Sequence, residues 1–307
     1  MQEIDYLGHK IVKWERGSST FLAWPQVGAR LMNWHLSYPD GTIRDIIHWP
    51  DQPISLETIA KVRGGNPILF PFCGRTFDRG EIFHWRTPGG ERLPMPMHGF
   101  AKDGKFELQN LSQNGFSARL VPTAEDQKCY PYSYEFTVSY RFEELALYVE
   151  FRLKNLDTKP IPWSAGHHFY FAVPWREGTA RSDYRILLPA KEAYRHNPDG
   201  SLLPLPEAPQ EDTFDSSGLR DRIHCRLRTN QVVFGPDDGE EQIRIRVGTE
   251  EKPDPATTVV TWTETDTSPF YCVEPWMGPP NSPEHKLGLH MVKPGKSQTF
   301  LVEVLLK

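Results

Sequence analysis

The sequence predicts an all-β fold, a large antiparallel β-sandwich of two packed sheets, and three observations carry that prediction. Bulky apolar residues alternate with polar ones over many short runs, which is the period of a half-buried strand. Proline is frequent but scattered, 28 in 307 residues, so it punctuates short elements. Helices long enough to cross between parallel strands are missing from the pattern, which leaves antiparallel pairing.

In Tyr134, Phe136, Val138 and Tyr140 the bulky residues share one face, with Ser133, Glu135, Thr137 and Ser139 on the other. After a connection at 141–144, Leu145, Leu147, Val149, Phe151 and Leu153 repeat the pattern, as an antiparallel hairpin would. The same period marks Phe116, Ala118 and Leu120. It returns at Ile243, Ile245 and Val247, where Arg244 and Arg246 take the solvent face. The last strand reads Phe300, Val302, Val304 and Leu306, after the turn Pro294-Gly295. The one short helical candidate runs from Ile54 to Val62, and Pro204 to Gln210 reads as a loop. No composition break marks a linker and no long repeat stands out, so residues 1–307 are expected to form one domain.

Composition narrows the function. Hydrophobic residues make up 38% and charged residues 24%, enough for a buried core under a solvated surface. The 35 basic and 40 acidic residues give a net charge of -5, which argues against a nucleic-acid binder needing a basic stripe. No run of 18 apolar residues exists, so no transmembrane helix and no membrane partner are expected. The start, Met-Gln-Glu-Ile-Asp, does not resemble a secretory leader. Cys73, Cys129, Cys225 and Cys272 form no CxxC pair, which fits reduced thiols in a cytoplasmic protein.

Four segments break the alternation. Gly65 to Arg75 is apolar yet holds Pro67 and Pro71, so it is no central strand. Arg75 is then either the exposed end of a buried crossover or a guanidinium entering a cavity to meet a polar ligand. In Pro94 to Phe100, Gly99 permits a sharp turn or close approach, and His98 is either a loop histidine or part of a pocket floor. In Trp163 to Phe171, His167 and His168 must point to opposite faces of a strand, so only one enters a given cavity. Aromatic neighbours would pull such an imidazole below about 6.5. Adjacent strand histidines are also poor chelating partners, so no metal is expected. In Tyr271 to Asn281, Glu274 lies between Val273 and Pro275; it is either on a surface turn or a functional acid or base. A buried Glu would titrate above about 4.3. Trp276 offers a flat face of the kind that stacks on the C–H faces of sugar rings.

Taken together, Asn66 to Arg75, Met97-His98-Gly99-Phe100-Ala101, His168-Phe169-Tyr170-Phe171 and Val273-Glu274-Pro275-Trp276 resemble the aldose 1-epimerase (mutarotase) family. The turn Gly278-Pro279-Pro280-Asn281 and the terminal strand fit as well, so the resemblance covers the whole chain. It implies a galactose mutarotase-like β-supersandwich with an open sugar cleft, interconverting the α and β anomers of a hexose. It implies His168 as general acid, Glu274 as general base, and His98 and Arg75 on sugar oxygens. The family's sugar-binding Asp maps best to Asp221, with Asp212 and Asp215 as competitors. Lys102 stands where an arginine is frequent, which leaves ligand preference open.

The chemistry requires such residues. Opening a closed aldose removes a proton from the anomeric hydroxyl and gives one to the ring oxygen. A base and an acid acting together avoid a full charge, each contributing ~10²–10⁴-fold. Neither a metal nor a redox cofactor is needed. Attraction between the pair is expected to lower the Glu274 pKa and raise that of His168, giving a bell-shaped rate profile with a neutral plateau. Two other readings remain: a non-catalytic carbohydrate-binding protein, and, less favoured, a glycosidase, which wants two carboxylates. A hexose-6-phosphate 1-epimerase is a variant of the first reading, for which Arg75, Arg79 and Lys102 are the candidate phosphate ligands. A monomer or homodimer is expected.

Overall fold

The computed structural model describes residues 1–51 and 58–307. The alternating runs become strands in two sheets, one of thirteen strands and one of nine, whose ladders run antiparallel. The expected runs fall at Gly115–Leu120, Tyr134–Glu143, Ala146–Asn155, Ile243–Val247 and Ser297–Leu306, all within the nine-stranded sheet. Along each of them the alternating apolar residues are buried, apart from half-buried Tyr134, and the residues between them are mostly more exposed. The hairpin is tighter than expected. Phe142 extends the buried face of its strand, and Glu143 pairs with Ala146, so two residues rather than four make the turn. Leu145 sits in that turn, 43% exposed, and leaves the apolar face.

The helical candidate at 54–62 lies partly outside the described residues, and its described end is a single 3-10 turn, Ile59–Lys61. The helix Ala124–Cys129 is six residues long and is held by a capping box between Thr123 and Asp126. No helix among the described residues is long and apolar enough to cross a membrane.

Aromatic side chains join the sheets. Phe21 of the larger sheet stacks on Phe142 of the smaller at 4.6 Å, Trp14 on Phe116 at 5.7 Å, and Phe171 meets Phe234 edge-on at 4.9 Å. Burying rings of this size on both inner faces dominates the stability of a sandwich.

Around the strand Phe270–Trp276 the larger sheet is covered on both faces, and that positions the site. Along Phe270–Trp276, Tyr271 and Val273 join the core between the sheets. The strand period sends Cys272, Glu274 and Trp276 the opposite way. That second face is not flat solvent-exposed sheet: every residue of this strand is buried. Neighbouring strands are Tyr170–Ala172 on one side and Thr258–Trp262 on the other, with Arg222–Leu227 beyond.

Candidate active site

The strand rule for adjacent histidines holds. His167 turns into the core, stacked within 4.2–5.8 Å of Phe151, Phe169 and Phe300. His168 turns the other way, parallel to Tyr170 at 4.8 Å and edge-on to Trp262 at 5.9 Å. Asn66, fully buried, fixes both. Its Oδ1 accepts the His168 backbone N–H (3.1 Å), and its Nδ2 donates to His167 Nδ1 (3.0 Å) and the Tyr140 hydroxyl (2.9 Å). His168 Nε2 then stands 3.5 Å from Glu274 Oε2. Both side chains line one cleft of about 750 Å³, together with Arg75, His98, Asp221 and Trp276. All six residues singled out from the sequence thus meet around a single void.

Burial governs the charge of the central pair. Glu274 is 1% exposed, and that desolvation pushes its carboxyl well above the usual range; Trp276 opposes the shift and Asp221 adds to it. His168 is pushed well below 6.5, first by burial and then by the electrostatic opposition of neighbouring His98, Arg63 and Arg30 to a second cation. Both directions are the reverse of those expected from pairwise attraction alone, because removing two ions from water outweighs their mutual attraction here. The empty site therefore favours a neutral imidazole beside a protonated carboxyl. That state holds the same number of protons as imidazolium with carboxylate, so the pair behaves as one acid–base unit with the proton on either side.

His98 sits at φ 65 and Gly99 at φ 71, a left-handed pair that turns the chain into the cleft. His98 Nδ1 accepts the Gly74 N–H (3.2 Å), which leaves Nε2 as the N–H donor of a neutral ring. Burial, with Lys102, Arg75 and Arg63 nearby, lowers this imidazole to about 3. Lys102 donates to the carbonyls of Met97 (3.1 Å) and Gly99 (2.9 Å), so it fastens the turn and does not reach the cleft. A Cβ on Gly99 would lie 1.9 Å from the Phe70 carbonyl oxygen, which bonds the Phe100 N–H. Gly99→Ala is expected to cost at least about 2 kcal/mol of stability, read by urea unfolding, because the clash is backbone on backbone at positive φ. An unchanged midpoint would show that the turn relaxes freely.

Arg75 is exposed and lines the cleft. It makes no hydrogen bond or ion pair among the described residues. Trp276 donates its indole N–H to the His167 carbonyl (3.0 Å) and presents its edge to the ring of His98. Of the three aspartates, Asp221 lines the cleft at φ 55. Asp212 is committed to Arg222 at 2.9 Å, and Asp215 lines a neighbouring pocket. Arg79 lies in a different pocket as well, so of the three cations considered for phosphate only Arg75 faces the cleft.

Other cleft residues were not found from the sequence. Arg63 lies over the Trp262 ring at 5.1 Å and pairs with Glu264 at 3.3 Å. Arg195 donates to the carbonyls of Gly218 (2.8 Å) and Arg220, propping the loop that carries Arg220 and Asp221. Buried His196 Nε2 has no partner among the described residues. The only available signal was for Arg63, which stands two glycines ahead of a quoted motif.

The chain matches the family model described as aldose 1-epimerase over residues 10–303. It is 28% identical over 227 residues to the plasmid protein LacX of Lactococcus lactis subsp. lactis, a match covering 70% of this chain and 74% of that one. A galactose mutarotase-like protein from Clostridium acetobutylicum superposes with a TM-score of 0.78 at 18% identity, covering 100% of this chain and 98% of the other. A galactose mutarotase related enzyme from Lactobacillus acidophilus gives 0.75 at 20% identity, covering 97% of each. These structures share the galactose mutarotase-like β-sandwich, and the match running nearly end to end shows that the chain belongs to the aldose 1-epimerase family.

Proposed function

We propose that the protein interconverts the α and β anomers of an aldose by general acid–base ring opening, without a cofactor. The observation that carries this reading is the 3.5 Å approach of His168 Nε2 to Glu274 Oε2 at the floor of a cleft large enough for a sugar. Glu274 takes the proton of the anomeric hydroxyl while His168 gives one to the ring oxygen. That transfer turns imidazolium and carboxylate into imidazole and carboxylic acid, the arrangement that burial favours. The low-polarity floor thus stabilises the proton placement that accompanies the open aldehyde. After rotation about C1–C2 the transfers run backwards and the other anomer closes. The Nε2–H of His98, Arg75 and Asp221 hold the sugar oxygens, and Trp276 packs against the ring.

Polarimetry or NMR on freshly dissolved α-glucose and α-galactose tests the reading. Faster anomer equilibration is expected; sugar binding with equilibration at the uncatalysed rate would leave a carbohydrate-binding protein instead.

A second reading, an aldose carrying a phosphate, is favoured by one feature of the walls. Among the described residues Arg75 has no partner, Arg195 meets only carbonyls, and His196 keeps an unpaired nitrogen, all around the same cleft. Guanidinium groups without carboxylate partners suit an anion. On this reading a hexose 6-phosphate has the lower KM, and Arg75→Gln raises that KM by about tenfold more than the KM of the free hexose. Equal KM values for both sugars, before and after substitution, would return the neutral hexose as substrate.

A further inference from the structure

We infer that His168, Cys272 and Glu274 form a binding site for a thiophilic divalent cation, zinc, and that its occupancy switches the acid–base pair off. The site stands on geometry alone; the blockade of turnover rests on the epimerase reading above.

The sheet brings the three groups together. Cys272 and Glu274 are two apart on one strand and share its cleft-side face. Tyr170 lies opposite Cys272 on the adjacent strand, and His168 precedes it by two residues. The ligand atoms of the three side chains lie within 4.8 Å of one another. All three residues are buried, at 8%, 0% and 1% exposure. One of the ligand atoms, Glu274 Oε2, is buried with no hydrogen bond among the described residues.

Imidazole nitrogen, thiolate sulfur and carboxylate oxygen are each zinc ligands, and zinc sites with three protein ligands keep a fourth position for water. Zinc bonds of ~2.0–2.3 Å place tetrahedral ligands roughly 3–4 Å apart. The His168–Glu274 separation of 3.5 Å already meets that requirement. Cys272 closes the remainder by a small side-chain movement, and two protons, that of its thiol and that of the Glu274 carboxyl, leave to solvent through the cleft. The resulting thiolate and carboxylate balance the two charges of the ion. The fourth position faces the cleft and takes water.

The walls add selectivity. Arg63, Arg75, Arg195 and Arg220 repel any cation that lacks strong bonds to the floor. Magnesium and calcium seek oxygen ligands and find a single carboxylate, so they do not compete. Once zinc holds Nε2 and Oε2, neither atom can exchange a proton with a sugar.

The test uses the full chain with zinc, or cobalt(II) as a visible substitute. One zinc per chain is expected in equilibrium dialysis. Cobalt(II) is expected to give the near-ultraviolet thiolate-to-metal charge-transfer band. Cys272→Ser and Cys272→Ala lose that band and bind zinc at least about tenfold more weakly, since even outer-shell losses cost ~10–100-fold. Cys129→Ser, which removes a more exposed thiol, keeps both. Zinc slows anomer equilibration, a chelator restores it, magnesium has no effect, and the Cys272→Ala protein stays active in zinc. Absence of the band, or equal zinc affinity in the wild type and both Cys272 variants, overturns the site. Binding through Cys272 in a chain that equilibrates no sugar leaves the site standing and overturns the epimerase reading.

Discussion

Replacing Glu274 with Gln is expected to slow anomer equilibration by at least about 100-fold while the protein stays folded. The amide has the shape of the carboxyl but neither accepts nor returns the proton. A loss of that size is about 2.7 kcal/mol of transition-state stabilisation. Stability is expected to hold because Glu274 is 1% exposed and its Oε2 makes no hydrogen bond among the described residues, so the wild-type carboxyl contributes little to the fold. Removing a buried ionisable group without a satisfied network is often neutral or stabilising.

The loss is expected in kcat, with KM changed little, because the proton transfers belong to the transition state. His168→Asn is expected to fall by a similar factor, and the double variant to be little worse than either single one, since in the proposed mechanism the two proton transfers depend on each other. His98→Asn acts differently. On the proposed mechanism its neutral ring donates to substrate, so KM is expected to rise more than kcat falls. Saturation kinetics by polarimetry on the four proteins separates these outcomes. Full activity in Glu274→Gln removes this carboxylate from the reaction, and additive losses in the double variant break the shared-proton account.

Much of the fold is legible in the sequence because a half-buried strand writes its period directly into the residues. Tyr134–Glu143 and Ala146–Asn155 are found for that reason. The hairpin turn is misplaced by two residues because Phe142 continues the alternation into what reads as a polar connection. Glu274 is conspicuous because an acid between Val273 and Pro275 breaks an apolar run, and burial of the whole strand explains the break. Arg195 and His196 are hidden for the opposite reason. Charged residues in the strand Ala190–His196 look like an ordinary solvent face, and only the sheet order shows that this face borders a cleft. The charge state of the pair is misread because sequence distance offers attraction between His168 and Glu274 but says nothing of the water removed from both.

That same desolvation is expected to make the fold acid-labile, most visibly in the Glu274→Gln protein. Burial lowers His167 and His224 to about 3. His167 Nδ1 accepts a hydrogen bond from Asn66 Nδ2, and His224 Nε2 meets the Thr261 hydroxyl at 3.1 Å, which suits neutral rings at 0% and 1% exposure. Their folded values lie below the unfolded value of about 6.5, so the stability gained by keeping them neutral is full above pH 6.5. It drains as the pH falls toward 3, because the unfolded chain takes up protons that the folded one refuses. At pH 5 each histidine contributes a loss of about 2 kcal/mol, and the two together about 4. Glu274 works with the opposite sign. Its folded value is raised, so its contribution is present below about 4.5 and is lost as the pH rises through the raised value. Between pH 7.5 and 5 the wild type therefore recovers at Glu274 part of what it loses at the histidines. Urea unfolding at both pH values is expected to show Glu274→Gln losing at least about 4 kcal/mol on acidification, and the wild type losing less. A loss below about 1 kcal/mol in the variant would mean that the buried histidines accept protons in the folded state, and equal losses in both proteins would mean that Glu274 is already ionised where burial is argued to keep it neutral.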